Sequence, residues 1–211
     1  MATHYRTNGF IIKKTDRDEA DQFFTIYTKG YGKLKILGKA IRKINSKLRS
    51  GAELFYLSDI EFIQGKNHKT LTDAILMENF PDIRKDLGKL KIVHQIAELL
   101  DSLMTGEEKD ELIWWLLCET LKKLNSLEIR NYNLEILYYY FFWNLVSLLG
   151  YRPELKPDSL KGKKINTDIA KILKITLNKD WSILSRLKIE PSHLELLKNI
   201  SEWYKIELHE K

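Results

Sequence analysis

The apolar residues of this chain follow two periods, and the change between them falls near Phe80 and Pro81. Before that point β-branched and aromatic residues alternate or run together between glycines: Gly9 to Lys14, Phe23 to Thr28, Lys33 to Leu37, Leu54 to Ile63 and Thr70 to Met77. Period 2 with these residue types predicts strands. Lys29-Gly30-Tyr31-Gly32 predicts a hairpin between the second and third, because glycine supplies the positive φ of such turns, and Gln64-Gly65-Lys66-Asn67 a turn between the fourth and fifth. Five short strands in about 80 residues suggest a small β-barrel with the OB-fold as leading candidate. Strand count alone also admits an SH3-like barrel.

From Ile83 the spacing becomes three or four: Leu87, Leu90, Val93, Ile96, Leu100 and Leu103 mark one face of a helix. Thr105-Gly106-Glu107-Glu108 reads as a capping box for a second helix through Leu121, and a third runs from about Asn131 to Leu149, stopped by Gly150 and Pro153. Thr167 to Leu177 and Asp180 to Leu187 predict shorter helices, and Ser192-His193-Leu194-Glu195 a capping box for a last one. The pattern is α+β: a five-stranded OB-fold β-barrel over residues 1–80, then an all-α helical domain over 81–211. The apolar stretch Leu134 to Leu149 is shorter than the roughly 18 residues a membrane span needs and contains Glu135 and Asn144, so a central buried helix is expected instead.

Charge sharpens the division. The net charge is only +6, but residues 1–80 hold 14 Lys and Arg against nine Asp and Glu, and Gln22 to Ala52 contains no acid. That segment carries Lys29, Lys33, Lys35, Lys39, Arg42, Lys43, Lys47 and Arg49, and without counter-charges of its own it projects a positive field. Phe23, Phe24, Tyr27 and Tyr31 are interleaved with it; about half must point into the barrel, and Tyr31, in the turn, is expected to be the exposed ring. A cationic groove with aromatic platforms is how OB-folds hold single strands. The lone Cys118 excludes an internal disulfide, and with no secretory signal it points to a reducing cytosol.

Catalytic chemistry finds little support. The five histidines are scattered; His94 and Glu98 at i, i+4 suit a helix-surface pair, and Cys118 among Trp114, Trp115 and Leu117 suits a small buried hydrophobe. Asp16, Asp18, Glu19 and Asp21 could hold Mg²⁺ but sit in a predicted turn, where solvated carboxylates are common. No glycine-rich phosphate loop occurs. No cofactor is expected.

Gly9-Phe10-Ile11-Ile12, Asp18-Glu19-Ala20-Asp21, Tyr27-Thr28-Lys29-Gly30-Tyr31-Gly32-Lys33 and Gly38 to Leu48 resemble, in order, the N-terminal barrel of the RecO recombination mediators. Leu148-Leu149-Gly150-Tyr151-Arg152-Pro153-Glu154-Leu155 is similar to that family's segment after a central helix. The resemblance implies a non-enzymatic, cytoplasmic, nucleoid-associated DNA repair protein. Such a protein binds single- and double-stranded DNA, anneals strands, and with RecR helps load RecA onto DNA coated by single-stranded-DNA-binding protein (SSB). It implies DNA contacts at Lys33, Lys35, Lys39, Arg42, Lys43, Lys47 and Arg49, with Tyr31 beside them. It also implies an SSB-tail site in the helical domain, where Lys171, Lys174, Arg186 and Lys188 are the cationic candidates. Many members carry a Cys-x-x-Cys-Gly zinc knuckle where this chain has Asp158, Lys161 and Gly162, so a metal-free loop is expected over 156–166. An OB-fold RNA-binding or ribosome-associated factor and a metal-dependent nuclease built on the Asp16 to Asp21 cluster are the alternatives from other classes.

Overall fold

A computed structural model describes residues 3–128, 134–156, 159–160 and 163–209. Its first five strands are β1 (His4–Arg17), β2 (Asp21–Thr28), β3 (Gly32–Gly38), β4 (Leu57–Gln64) and β5 (Lys69–Glu78). They close a barrel in the order β1-β2-β3-β5-β4, antiparallel throughout except where β3 meets β5 at Ile36 and Leu37 opposite Lys69 and Thr70. This is an OB-fold barrel. β1 is long enough to pair with β2 along one part and β4 along another. The core holds Ile11, Phe24, Ile26, Leu34, Ile36, Ile60 and Phe62, each at most 2% exposed, with Ile41 and Ala52 sealing one end from the β3–β4 connection.

One irregularity decides the barrel's outer chemistry. A bulge between Ile11 and Lys13 places Ile11 opposite Ile26 but Lys13 opposite Thr25. In an unbroken ladder Lys13 would face Phe24, whose ring lies in the core. The extra residue reverses the alternation, so Lys13, Thr15 and Arg17 share an outward face with Phe23, Thr25 and Lys35.

Three helices follow. α1 (Pro81–Arg84) is a single turn; α2 (Leu87–Leu103) starts where the Asp86 carboxylate accepts from the Lys89 N–H at 2.8 Å; α3 (Glu111–Ser126) starts where Asp110 accepts from the Ile113 N–H at 2.9 Å. The cap of α3 is therefore Asp110 rather than the expected Thr105 box, because Thr105 to Lys109 stays outside the helix. The chain divides into two compact units, residues 1–114 and 115–211, so the division falls inside α3. The first unit exceeds the 80 residues read as the barrel because Lys13 and Lys33 bind Asp101, and Tyr27 stacks on Trp114 with centroids 6.4 Å apart.

In the second unit α4 (Leu134–Leu148) is buried from Ile136 to Val146 apart from half-buried Tyr138. Its Asn144 amide donates to the carbonyls of Tyr140 at 2.8 Å and Thr176 at 3.0 Å, which ties it to α5 (Thr167–Leu177). Asn131, the expected start of this helix, lies outside the described residues. After α6 (Trp181–Leu184), α7 (Pro191–His209) begins with Glu190 accepting at its carbonyl from the His193 and Leu194 N–H groups. The helix thus opens at proline, one position before the expected Ser192 box, since proline lacks only an N–H that has no helical partner there. Over 156–166 the described residues are not a plain loop. β6 (Leu155–Lys156), β7 (Ser159–Leu160) and β8 (Lys163–Lys164) form a small antiparallel sheet with Leu160 fully buried; Asp158, Lys161 and Gly162 lie outside the described residues. Among the described residues no helix is long and apolar enough to cross a membrane.

Candidate nucleic-acid interface

The cations of the acid-free segment fall into two groups. Lys33 and Lys35 stand on β3; Lys39, Arg42, Lys43, Lys47 and Arg49 stand on the connection to β4, which contains a 3₁₀ turn at Lys47–Ser50. The connection is held from both ends. Gly51 lies so close to β5 that a Cβ there would sit 1.9 Å from the Ala74 carbonyl oxygen, so only glycine fits. At the start the Asp21 carboxylate accepts from the Ala40 N–H at 2.7 Å, and the Arg42 N–H donates to the Ala20 carbonyl at 3.0 Å.

These bonds also show what the acidic turn does. Asp16 accepts from Gln22 at 2.7 Å and pairs with Arg42 at 3.5 Å, while Asp18 pairs with Arg17 at 3.5 Å. Asp16 and Asp21 brace the basic connection while Asp18 pairs within the turn, and among the described residues no group of three His, Cys, Asp or Glu is arranged to hold a metal. Lys14, paired with Glu53 at 2.8 Å, joins Gln22, Arg42 and Arg49 around a cavity of about 210 Å³ at the base of the connection. Lys39, Lys43, Lys47 and Arg49 are exposed, and none has a carboxylate within ion-pair distance among the described residues. Ile44 projects between them, 91% exposed.

The strand cations behave differently. Lys33 is half-buried, donating to the Asp101 carbonyl at 2.6 Å and lying 3.5 Å from its carboxylate, and Lys13 donates to the same carboxylate at 2.8 Å. Burial alone would raise the Asp101 pKa, but the hydrogen bond and charge of Lys13, with Lys33 behind it, hold it below the usual carboxylate value. The same hydrogen bond raises the Lys13 pKa. Lys35 instead places its ammonium 4.7 Å from the Phe23 ring centroid, and Arg17 its guanidinium at 5.0 Å.

Tyr31 is not the open ring that its turn position suggested. It is half-buried, edge-on to Tyr5 at 6.0 Å and Phe62 at 5.6 Å, because the tight hairpin folds the side chain back over the barrel end. Phe24 and Tyr27 are fully buried. Burial pushes the Tyr27 pKa well up, with Asp110 adding to it. Phe23 is half-buried like Tyr31, its ring on the outward face with Arg17 and Lys35 against it and the His68 ring edge-on.

In the helical unit, Lys171 and Lys188 line a cavity of about 230 Å³ floored by Ile172, Ile175, Leu187 and Ile189; Lys174 and Arg186 are exposed and lie off it. Asp168 and His193 complete its rim, and Asp168 pairs with Lys171 at 3.1 Å. His94 and Glu98 form a solvent-exposed pair at 3.3 Å, and Cys118 is half-buried.

Two family models match the chain: "Recombination protein O N terminal" over residues 1–80 and "Recombination protein O C terminal" over residues 84–209. Curated relatives are described as DNA repair protein RecO. The DNA repair protein RecO of Syntrophomonas wolfei is 34% identical over 162 residues, 76% of this chain and 63% of that protein. That of a Thermoanaerobacter species is 29% identical over 167 residues, 76% of this chain and 64% of the relative, and that of a Roseiflexus species is 31% identical over 156 residues, 72% and 52%. The chain thus matches less than two thirds of the length of these relatives.

Proposed function

This chain belongs to the recombination protein O (RecO) family of DNA repair proteins, and on that premise we propose that it binds DNA through the connection Lys39–Arg49 and brings complementary strands together without covalent chemistry. The observation that carries this reading is the contrast in charge pairing: Lys39, Lys43, Lys47 and Arg49 are exposed without carboxylate partners among the described residues, whereas Lys13, Lys14 and Lys33 on the strands are paired. Two strands repel through their phosphates, and a cationic surface that neutralises both while leaving the bases accessible lowers that barrier. Five cations all touching phosphate would give log K against log salt a slope of about −3 to −4 on single strands.

The apolar cavity between Lys171 and Lys188 suits an acidic tail with an apolar end, which favours capture of the SSB C-terminal tail. Partnership with RecR and delivery of RecA onto SSB-coated strands complete the reading as a nucleoid-associated mediator. The test is annealing of complementary oligonucleotides coated with SSB. Acceleration that is lost with Arg42→Glu/Lys43→Glu supports the proposal; no acceleration, or tighter binding to structured RNA than to DNA, would sink it in favour of an RNA-binding factor.

A further inference from the structure

The connection from β3 to β4 exposes one aliphatic side chain among its cations. Ile44 is 91% exposed, the most open large apolar side chain of the described residues. Single apolar residues at a surface are ordinary and by themselves say nothing. What sets this one apart is that the backbone beneath it is built to keep it in water. Ile41, just before it, is 2% exposed in the barrel core, and Leu48, just after it, packs against the same core. Between these anchors the chain makes successive turns, with the Lys43 N–H donating to the Ala40 carbonyl at 3.2 Å and the Ser46 N–H to the Lys43 carbonyl at 3.0 Å. The first turn opens at Ala40, whose φ of +52° is a left-handed conformation that alanine adopts only when its surroundings impose it, and the Asp21 carboxylate holds that N–H. A slack loop would fold Ile44 down onto apolar surface; this one holds it out, with Arg42, Lys43 and Lys47 exposed around it in sequence.

We propose that Ile44 is a wedge that enters the minor groove of duplex DNA and parts a base step, while the cations beside it hold the flanking phosphates. The inference rests on the DNA-binding reading above and adds a contact to the bases of paired DNA. An aliphatic side chain has no flat π face on which a base can stack, so it makes no platform for a single strand. The apolar space it can fill on DNA is the gap between two base pairs prised apart, and an isoleucine tip accompanied by Lys and Arg has the composition that such wedges use. Parting a step is unfavourable, so the wedge must lose little freedom of its own. β-Branching restricts the Ile44 χ1 and the braced turns fix its backbone, which keeps that loss small. Lys43 and Lys47 have no carboxylate partner among the described residues, so phosphates meet them without displacing an ion pair. The bound duplex should then kink toward its major groove by about 20° or more.

The test uses the full chain and a short duplex in which 2-aminopurine replaces adenine at TA steps, which unstack most readily, with a dye at each end. At saturating wild-type protein the 2-aminopurine fluorescence should rise, and energy transfer between the dyes should rise as a kink of about 20° or more requires. Ile44→Ser should abolish both gains and leave the salt slope of binding unchanged, since no charge is removed, whereas Ile44→Leu should keep them. A bound duplex that shows neither gain with the wild type overturns the wedge, as do gains that persist in Ile44→Ser. An apolar tip among cations is also attracted to an anionic membrane surface. Ile44-dependent binding to phosphatidylserine vesicles without a change in the duplex signals would assign the tip to lipid and overturn the wedge. Failure of the wild type to bind duplex or single strand would instead overturn the DNA-binding reading, and the wedge with it.

Discussion

The strand face and the connection after β3 carry cations of the same two residue types, a few residues apart in sequence, and the fold puts them to different uses. On the strands Lys13 and Lys33 converge on Asp101, a carboxylate 68 residues beyond Lys33, and help fasten α2 to the barrel. On the connection Lys39, Lys43, Lys47 and Arg49 find no such partner among the described residues, and their field is directed outward. A run of bases in the sequence is therefore not one structural unit. Pairing by residues distant in the chain neutralises part of it, and the remainder is the contact proposed above.

That contrast can be tested by changes whose effects differ in kind. The largest effect is expected from Gly51→Val, which drives a side chain into the Ala74 carbonyl and lifts the connection off β5. A loss of about 3 kcal/mol in denaturant unfolding is expected, together with weakened DNA binding, while Lys13 and Lys33 still hold Asp101. Unchanged stability would show that the connection is not anchored there. Next, Arg42→Glu with Lys43→Glu should weaken single-strand binding by about 2 kcal/mol in free energy and flatten the salt slope by about 1.4, since each lost phosphate contact removes about 0.7. A filter-binding titration with unaltered slope would reject the connection as the contact.

Asp101→Asn should cost about 1 kcal/mol of stability and leave the salt slope unmoved, the reverse of the preceding outcome. Its pH dependence follows from the two shifts. The Asp101 pKa is lowered in the fold, so its stabilisation is present above the unfolded carboxylate value of about 3.9 and is lost as pH falls through the lower folded value. The Lys13 pKa is raised, so its contribution is present below about 10.4 and is lost as pH rises through the higher folded value. Melting curves of wild type and Asp101→Asn should differ steadily from about pH 5 to 9 and converge in strong acid. The smallest effect is expected from Lys47→Ala, with stability within about 0.5 kcal/mol of wild type and a slope flatter by about 0.7. Lys33→Ala, on the same scale of substitution, should show the opposite balance.

Much of this protein can be read from local pattern. The strands, the main helices and the step from period 2 to period 3.6 near Pro81 are written in nearest-neighbour spacing, and the basic connection is visible as an acid-free run, because backbone preference and side-chain alternation act over a few residues. Three features are not local. The bulge at Ile11–Lys13 reverses which residues face outward, and nothing in an isolated strand marks it. Tyr31 is half-buried rather than open because it packs on Tyr5 and Phe62, partners supplied by other strands. The acids of the Asp16 to Asp21 turn and Asp101 acquire their roles only when the folded chain brings Arg42, Ala40, Lys13 and Lys33 to them. Charge and periodicity are additive along a chain, whereas pairing and burial depend on which distant residues meet, and that is settled only when the barrel closes.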